Sequence, residues 1–420
     1  MNNTLLRKCV IVSQYPFPRG MAATNRILAY SRGLVENGVE VEVLVHTPTS
    51  RWPVAKFEGD RGTYKGVRYF HTMGQRASRF RLVRGISVIS GFRRFWGYLS
   101  TARALYVSNT QKAIDCVIIS LDDPLSLFVY SSLARQLGSR SVFIFDEYPI
   151  PIRHKLKSAI PRWKEALYKW CLFRVTGYVA ISEELGGYYR KLCDRSTLVL
   201  PVIADVSRFE GHPRSGAGRP REGYICYMGN MELAKDNVDN IVKAFGLIAS
   251  SFPRVSLRLY GSASGATEDF LKALVSELGL SARVEMPGRV GSEEVPAILQ
   301  GSIMLVSSQP DTVRAKGGFP TKLGEYLASG VPAIMTDVGE NSRYVRNGVH
   351  VYLVVPDDPA EFAKRMEHVL VNYLEAQRVA AAGRQLVFEK YSHHAMGGKL
   401  KAFIETLGKI SEREAVIDKR

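Results

Sequence analysis

The sequence has no long apolar run and few cysteines among its 420 residues. No stretch approaches the roughly 18 uninterrupted apolar residues that indicate a transmembrane helix. The first apolar run, Cys9 to Val12, is too short for a signal-peptide core and is typical of a buried strand. The five cysteines stand singly, without the paired spacing of a disulfide framework or a zinc site. These absences favour a protein of the reducing cytoplasm.

Acidic residues are also absent from Arg61 to Ile114, a stretch that holds eleven lysines and arginines. The formal net charge of +17 for the whole chain would attract nucleic acid, anionic lipid or phosphorylated ligands. Aromatic residues stand among these basic ones, as at a membrane interface, although core packing also explains the aromatics. We expect contact with the anionic inner face of the membrane through Arg76, Arg79, Arg81, Arg84, Arg93 and Arg94. A nucleic-acid binder is an alternative, but without a recognisable module no nucleic-acid partner is expected.

Strand and helix patterns alternate in both halves of the chain, which indicates βαβ units and parallel sheets. Residues 207–223 are rich in Gly, Pro and Arg and lack periodicity, so they are interpreted as a linker. We predict an α/β protein with two Rossmann-like, doubly wound domains, 1–206 and 222–389, facing across a cleft. A C-terminal helix at about 390–420 is predicted to pack back on the first domain. Apolar residues at helical spacing predict one buried helix face in the second half: Val238, Ile241, Val242, Phe245 and Ile248.

The segment KGGFPTKLGEYLASG, residues 316–330, places a lysine where a helix prefers an acid. Lys322 lies in the predicted first turn, where a cation costs roughly 0.3–1 kcal/mol. A bound phosphate would offset this cost, and Glu325, one turn later, can accept hydrogen bonds from a ribose diol. The alternative is a solvated helix with a Lys–Glu pair. If Lys322 binds phosphate, its replacement by alanine is expected to weaken nucleoside diphosphate binding and to leave folding intact.

A second loop, YMGNMELAKDN at residues 227–237, has the same character. Gly229 allows close approach of the backbone, and Lys235 stands at the start of the next predicted helix. A lone lysine is usually a surface residue, but two such lysines in separate strand-to-helix loops favour a phosphate ligand. Phosphate and ribose together indicate a nucleotide.

The motifs GNMELAK, LRLYGSASG and GEYLASGVPAIMTDVGENSRYVRNG resemble family 4 glycosyltransferases of the GT-B fold in order and spacing over most of residues 222–385. The resemblance implies transfer of a sugar from a nucleotide-sugar donor, bound by the second domain, to a saccharide or lipid-linked saccharide. It also implies a role in cell-surface polysaccharide or glycoconjugate synthesis, with retention at the anomeric carbon. The donor-binding residues expected from the motifs and the resemblance are Gly20, Ala22, Gly229, Asn230, Lys235, Arg314, Gly317, Gly318, Thr321, Lys322 and Glu325.

Two positions depart from the family pattern. The family arginine falls on Asn230, and the first glutamate of its paired motif falls on Gly317. The first acid usually contacts the transferred sugar, so its loss leaves the donor sugar open. Arg314 or Lys316 can supply the missing positive charge. An inactive protein that binds nucleotide sugars, or a scaffold, is therefore the alternative function.

Catalytic candidates in the first half follow the strand FIFDEYP. Asp146 and Glu147 are predicted to orient the acceptor hydroxyl, and capping of the next loop or a salt bridge is the alternative. The pair Asp122 and Asp123 in SLDDP is interpreted as a turn or helix cap. No metal and no cofactor beyond the nucleotide sugar are predicted.

Overall fold

The computed structural model of the chain divides into two compact units, one formed by Met1–Pro201 with His393–Arg420 and the other by Val202–Ser392. The structure describes residues 5–20, 22–48, 59–74, 87–121, 123–148, 162–201, 204–210, 222–317 and 321–408. Each unit contains one largely parallel sheet with helices in the connections between its strands. Two parallel-sheet α/β units confirm the predicted fold class.

The first unit is built on an eight-stranded sheet of order β3-β4-β2-β1-β5-β6-β7-β8. Only the edge pair β3–β4 is antiparallel among the strand pairs of its described part. Central strand β1 is buried along its whole length and has a parallel neighbour at each edge, as is typical of an interior strand in a parallel sheet. The strands are β1 Lys8–Ser13, β2 Glu40–Val45, β3 Arg61–Tyr64, β4 Val67–His71, β5 Cys116–Ser120, β6 Arg140–Phe145, β7 Gly177–Ala180 and β8 Thr197–Val199.

Helices of the first unit begin at recognisable caps where the sequence provides them. Asp123 caps one helix by accepting from the Ser126 backbone N–H, with Pro124 in its first turn. Ser182 caps another through the Leu185 backbone N–H. The helices before the unit boundary are α1 Ala22–Glu36, α2 Ser87–Gln111, α3 Pro124–Gln136, α4 Arg162–Leu172 and α5 Glu183–Leu192.

The second unit has a six-stranded sheet of order β11-β10-β9-β12-β13-β14, and its described strand pairs are all parallel. Its strands are β9 Gly223–Asn230, β10 Val255–Ser262, β11 Val284–Gly288, β12 Met304–Ser307, β13 Ala333–Thr336 and β14 Tyr352–Val354. Its α-helices are α6 Leu233–Asp236, α7 Val238–Ile248, α8 Gly265–Glu277, α9 Val295–Gly301, α10 Val313–Gly317, α11 Thr321–Ser329, α12 Asn341–Tyr344, α13 Pro359–Val371 and α14 Tyr373–Leu386. The predicted inward face of α7 is confirmed, because all five of its apolar residues are buried in the core of this unit.

The chain returns to the first unit in its last helix, α15, His393–Thr406, which packs against α1. Two glycines allow the close approach: a Cβ on Gly33 would lie 2.0 Å from the His393 carbonyl oxygen. A Cβ on Gly397 would lie 2.2 Å from the carbonyl carbon of Gly33. Arg140 of β6 also donates from Nε to the Leu407 carbonyl, 2.7 Å away. The last helix is therefore part of the first unit's structure.

The second unit begins earlier than the predicted boundary at residue 206. A 3₁₀ turn, Val206–Phe209, lies at its start, and both Val206 and Phe209 are buried. Gln300 donates to the Phe209 carbonyl and also to that of Ser329, at 3.4 and 3.5 Å. Apolar burial therefore assigns to this unit the first residues of the segment interpreted as a linker.

Candidate functional site

The two candidate segments of the second unit meet at one edge of its sheet. Strands β9 and β12 are parallel neighbours, so their carboxyl ends lie side by side. Of the segment 227–237, predicted as a loop, residues 227–230 form the end of β9 and the rest leads into α6, and helices α10 and α11 follow β12. The structure thus brings together the end of β9, which contains Gly229, and the helix containing Lys322, which are far apart in sequence.

Lys322 passes directly over Gly229. A Cβ at position 229 would lie 2.4 Å from Cε and 2.6 Å from Nζ of Lys322. Real Cβ atoms do not approach other atoms so closely, so glycine is needed here for the lysine to reach the loop. In the structure, glycine at position 229 therefore makes room for the Lys322 side chain.

The Lys322 side chain is half-buried, and its ammonium lies in a polar cluster that consists of Lys322, Asp236 and Tyr227. It forms an ion pair with Asp236, which is only 2% exposed, and donates to the Tyr227 hydroxyl at 3.1 Å. It also lies 4.6 Å from the centroid of the Tyr227 ring. Burial lowers the pKa of Lys322, and the charge of Asp236 acts in the opposite direction. Tyr227 then donates to the Asn230 carbonyl at 2.8 Å, so the cluster fixes the backbone of the loop.

This cluster argues against the expectation that Lys322 can be removed without effect on folding. The sequence showed a lysine opposed to a helix dipole, but Asp236 compensates for that placement at close range. Breaking a buried pair by removing one partner costs about 3–5 kcal/mol, because it leaves an uncompensated buried charge. We therefore expect the removal of Lys322 to destabilise the fold.

Lys235 is oriented differently from Lys322. It is half-buried on α6, next to Asp236 in the chain, and no ion pair or hydrogen bond joins its ammonium to another described residue. Its charge acts to lower the pKa of Lys322, in addition to the larger effect of burial. Among the lysines predicted to bind phosphate, Lys235 is thus the one that has no partner in the described structure.

The remaining donor candidates of this unit surround the same loop. Arg314 on α10 lies beside it, with Nη1 3.8 Å from Oε1 of Glu232. Asn230 is exposed at the end of β9, and Gly317 is buried at the end of α10. Thr321 begins α11, but its side chain, like the whole of Gly318, lies outside the described residues.

Glu325 has a partner that the sequence analysis missed. Its Oε1 accepts from Nη1 of Arg208 in the 3₁₀ turn, and Nη2 of Arg208 donates to the Ser292 carbonyl at 2.6 Å. The adjacent Tyr326 is fully buried, accepting from the Met228 backbone N–H and donating to the Val306 carbonyl. Helix α11 is therefore tied to the ends of β9 and β12, with Glu325 held in place beside them.

The acidic candidates of the first unit lie at the end of β6. Asp146 forms a salt bridge of 2.8 Å with Arg26 of α1, as one alternative interpretation of the sequence proposed. Burial acts to lower the pKa of Arg26, but Asp146 and Tyr30 outweigh it and the pKa is raised. Glu147 is half-buried beside Asp146. The ion pair fixes the position of the Asp146 carboxylate, which is the arrangement that a residue orienting a substrate hydroxyl requires.

Gly20 and Ala22 flank the start of α1. A Cβ at Gly20 would lie 2.1 Å from Oγ1 of Thr24, which donates to the Pro16 carbonyl at 2.7 Å. Gly20 therefore allows the loop before α1 to close on Thr24. Ala22 begins the helix, and its side chain is outside the described structure.

Several predictions concern regions that are only partly described. Arg76, Arg79, Arg81 and Arg84 lie outside the described residues, as does the side chain of Arg93, whereas Arg94 on α2 is exposed. Asp122 is outside as well, and Asp123 caps α3. In the described ranges, no three His, Cys, Asp or Glu residues are grouped as metal ligands. No helix in those ranges has the length and apolar character needed to span a membrane.

Comparison with known proteins finds a family match within the second unit. Residues 210–386 match the family model of glycosyl transferases group 1. The 2-deoxystreptamine glucosyltransferase of Streptomyces kanamyceticus is 26% identical over 61% of this chain and 66% of its own length. The putative colanic acid biosynthesis glycosyltransferase WcaL of Salmonella typhimurium is 27% identical over 52% of this chain and 59% of its own length. The matched region thus spans slightly less than two thirds of these curated relatives.

Solved structures extend the likeness to nearly the whole chain. Sucrose-phosphate synthase from Thermosynechococcus elongatus matches with a TM-score of 0.68 and 16% identity, over 94% of this chain and 98% of its own. HepE from Anabaena, in complex with UDP and glucose, has a TM-score of 0.65 and 14% identity, over 96% and 100%. At these identities the likeness establishes the fold. Residues 210–386 are therefore similar to glycosyl transferases group 1, and the fold of the chain is GT-B.

Proposed function

We propose that the chain transfers a sugar from a nucleotide-sugar donor to a saccharide or lipid-linked saccharide acceptor. The observation that carries the proposal is the family match over residues 210–386. This region contains Lys235, whose ammonium has no partner among the described residues, and Glu325, whose carboxylate pairs with Arg208. Family 4 membership, retention at the anomeric carbon and a role in polysaccharide or glycoconjugate synthesis belong to the same proposal. They rest on the motif resemblance and on the names of the relatives.

Sugar transfer requires that the donor and acceptor are positioned for reaction and that the leaving diphosphate anion is stabilised. The bond between the anomeric carbon and the donor diphosphate oxygen breaks, the acceptor oxygen forms the new bond to that carbon, and its proton passes to the departing diphosphate. Lys235 and Arg314 would neutralise the departing diphosphate, and Glu325 would hold the ribose. Asp146, fixed by Arg26, would orient the acceptor hydroxyl. Two cations at the loop support transfer without a metal.

Contact with the inner face of the membrane is part of the proposal for the acceptor. Helix α2 exposes Phe95, Trp96 and Leu99 beside the exposed Arg94, and helix α4 exposes Trp163, Leu167 and Trp170. Large exposed aromatics next to basic residues suit the interface of an anionic bilayer. A lipid-linked acceptor would then be reached from the cytoplasmic surface.

Donor binding without transfer is the second candidate function. It is favoured by Asn230 and Gly317, which stand where the family has an arginine and a glutamate. An exposed asparagine brings no charge to a diphosphate, and Gly317 has no side chain to contact the transferred sugar.

A two-stage experiment tests both candidates. Thermal-shift screening of the full chain against UDP, GDP, ADP, their nucleosides and their sugars comes first. A ligand at 100 times its dissociation constant adds about 2.7 kcal/mol to the free energy of unfolding. We expect at least one diphosphate to stabilise the chain more than its nucleoside does. No stabilisation by any of them would refute donor binding, and binding without transfer or hydrolysis of the sugar would favour the second candidate.

A further inference from the structure

We propose that Arg208 is a positioning residue that sets the Glu325 carboxylate for a ribose diol, and thereby makes the site select ribonucleotides over deoxyribonucleotides. The inference deepens the proposed function and rests on it. It assigns a role to a residue from the segment before the family motifs, where neither motif nor spacing indicated a contribution to the site.

Arg208 joins three separate segments of the second unit. One arm of its guanidinium contacts Glu325 on α11, and the other donates to the Ser292 carbonyl in the loop after β11. A guanidinium is a planar, rigid fork of donors, so fixing one arm on a backbone carbonyl fixes the direction of the other. The carboxylate of Glu325 is therefore oriented by a group that cannot rotate with it.

The frame behind Arg208 is itself anchored. Its neighbour Phe209 is 1% exposed, and the Phe209 carbonyl accepts from the buried Gln300. On the other side, Tyr326 ties helix α11 to the ends of β9 and β12. Both ends of the Arg208–Glu325 pair thus stand on buried supports, which gives the pair one geometry.

The Glu325 carboxylate can still accept hydrogen bonds from a ribose diol while it is paired with Arg208. Arg208 donates to Oε1 of Glu325, and no residue of the described part of the chain pairs with Oε2. The Glu325 side chain is 29% exposed, so a ligand can reach it. An ionised carboxylate accepts at about four lone-pair positions, so two ribose hydroxyls can bind while Arg208 stays. Without Arg208, the carboxylate would lose the fixed direction that makes both hydrogen bonds possible at once.

The test compares ribose and deoxyribose ligands in matched variants of the full chain. Calorimetry measures the dissociation constants of whichever of UDP, GDP and ADP the wild type binds most tightly, and of its 2′-deoxy and 3′-deoxy forms. We expect the wild type to bind the ribose form about 10- to 100-fold more tightly, the effect of one charge-assisted hydrogen bond. Arg208→Ala should reduce this ratio to about 3 or less and leave inorganic pyrophosphate binding within about twofold.

Two further variants keep the test decisive. Arg208→Lys retains the charge but cannot form both contacts, so its ratio should fall between those of the wild type and Arg208→Ala. Arg258→Ala is the control, because Arg258 also forms an ion pair within this unit, with Glu285 at 3.1 Å, away from α11. Its ratio should equal that of the wild type. If Arg208→Ala does not fold, the comparison of Arg208→Lys with the wild type decides.

The outcomes distinguish failure of the proposed function from failure of the role proposed for Arg208. A wild type that binds no nucleoside diphosphate refutes the proposed function, and this inference with it. A wild type that binds, with an unchanged ratio in Arg208→Ala and Arg208→Lys, overturns the inference alone. Tighter ribonucleotide binding by Arg208→Ala would also overturn it, because Arg208 would then compete with the ribose for Glu325.

Discussion

Replacing Lys322 by alanine is expected to destabilise the second unit by about 3–5 kcal/mol. The cost comes from Asp236, whose side chain is 2% exposed and would keep a charge with no partner. For a unit of this size, 1 kcal/mol shifts the melting temperature by about 2–4 °C, so a loss of roughly 6–20 °C follows. The Lys322→Met and Asp236→Leu double variant removes both charges and should recover most of the loss.

The matched control is Lys316→Ala, six residues earlier in the same segment. Lys316 is 59% exposed and lies 3.4 Å from an exposed Asp311, so this pair should contribute only about 0–1 kcal/mol. Urea unfolding should be followed by far-UV circular dichroism. Tryptophan fluorescence would miss the effect, because all four tryptophans belong to the first unit. If Lys322→Ala costs no more than Lys316→Ala, the buried cluster does not stabilise the fold and the reasoning fails.

Four other predictions follow from the same structure. Lys235→Ala should keep the melting temperature within about 2 °C of the wild type, since removal of an ammonium without a described partner costs little. In calorimetry the variant should bind the diphosphate about tenfold more weakly, or less tightly still. Unchanged affinity would show that Lys235 does not contact the diphosphate. Burial lowers the pKa of His46 to about 4, so stability is full above pH 6.5 and is lost as the pH falls toward 4; between pH 7 and pH 5 the loss is about 2 kcal/mol. Fluorescence-detected urea unfolding should show that loss, and His46→Gln should lack it; equal losses in both proteins would contradict the assignment. Sedimentation with anionic vesicles should exceed that with neutral ones, and Trp163→Ser should reduce it; equal binding to both kinds of vesicle would refute an anionic partner. Sugar transfer should continue in EDTA, and a loss of transfer restored by Mg²⁺ or Mn²⁺ would show that a metal site was missed.

Local patterns predicted the elements of the fold. The spacing of Val238, Ile241 and Phe245 identified the buried face of α7, because a helix repeats every 3.6 residues and its core-facing residues must follow that repeat. The alternation of strands and helices indicated parallel sheets for a different reason. Two parallel strands need a crossover connection, and the helices of these crossovers can be recognised in the sequence.

Contacts over long separations could not be predicted in this way. Lys322 and Asp236 are 86 residues apart, and Arg208 and Glu325 are 117 apart. Lys322 and Asp236 meet because the ends of β9 and β12 are neighbours, and Arg208 reaches Glu325 from the 3₁₀ turn at the start of the unit. The periodicity of a sequence does not contain this information. The sequence assigned Lys235 and Lys322 to separate strand-to-helix loops, but it did not indicate that Lys322 pairs with Asp236, the residue after Lys235.

The passage of Lys322 over Gly229 constrains the order in which these positions can change. A methyl group at residue 229 would occupy the space of Cε and Nζ of Lys322, so the end of the lysine would have to move from its position beside Asp236. The reverse order is less costly, since shortening residue 322 together with neutralising Asp236 opens the space first. In the descent of this chain the two positions are therefore epistatic. Among related sequences, a side chain at 229 should occur only where the long cation at 322 has already been replaced.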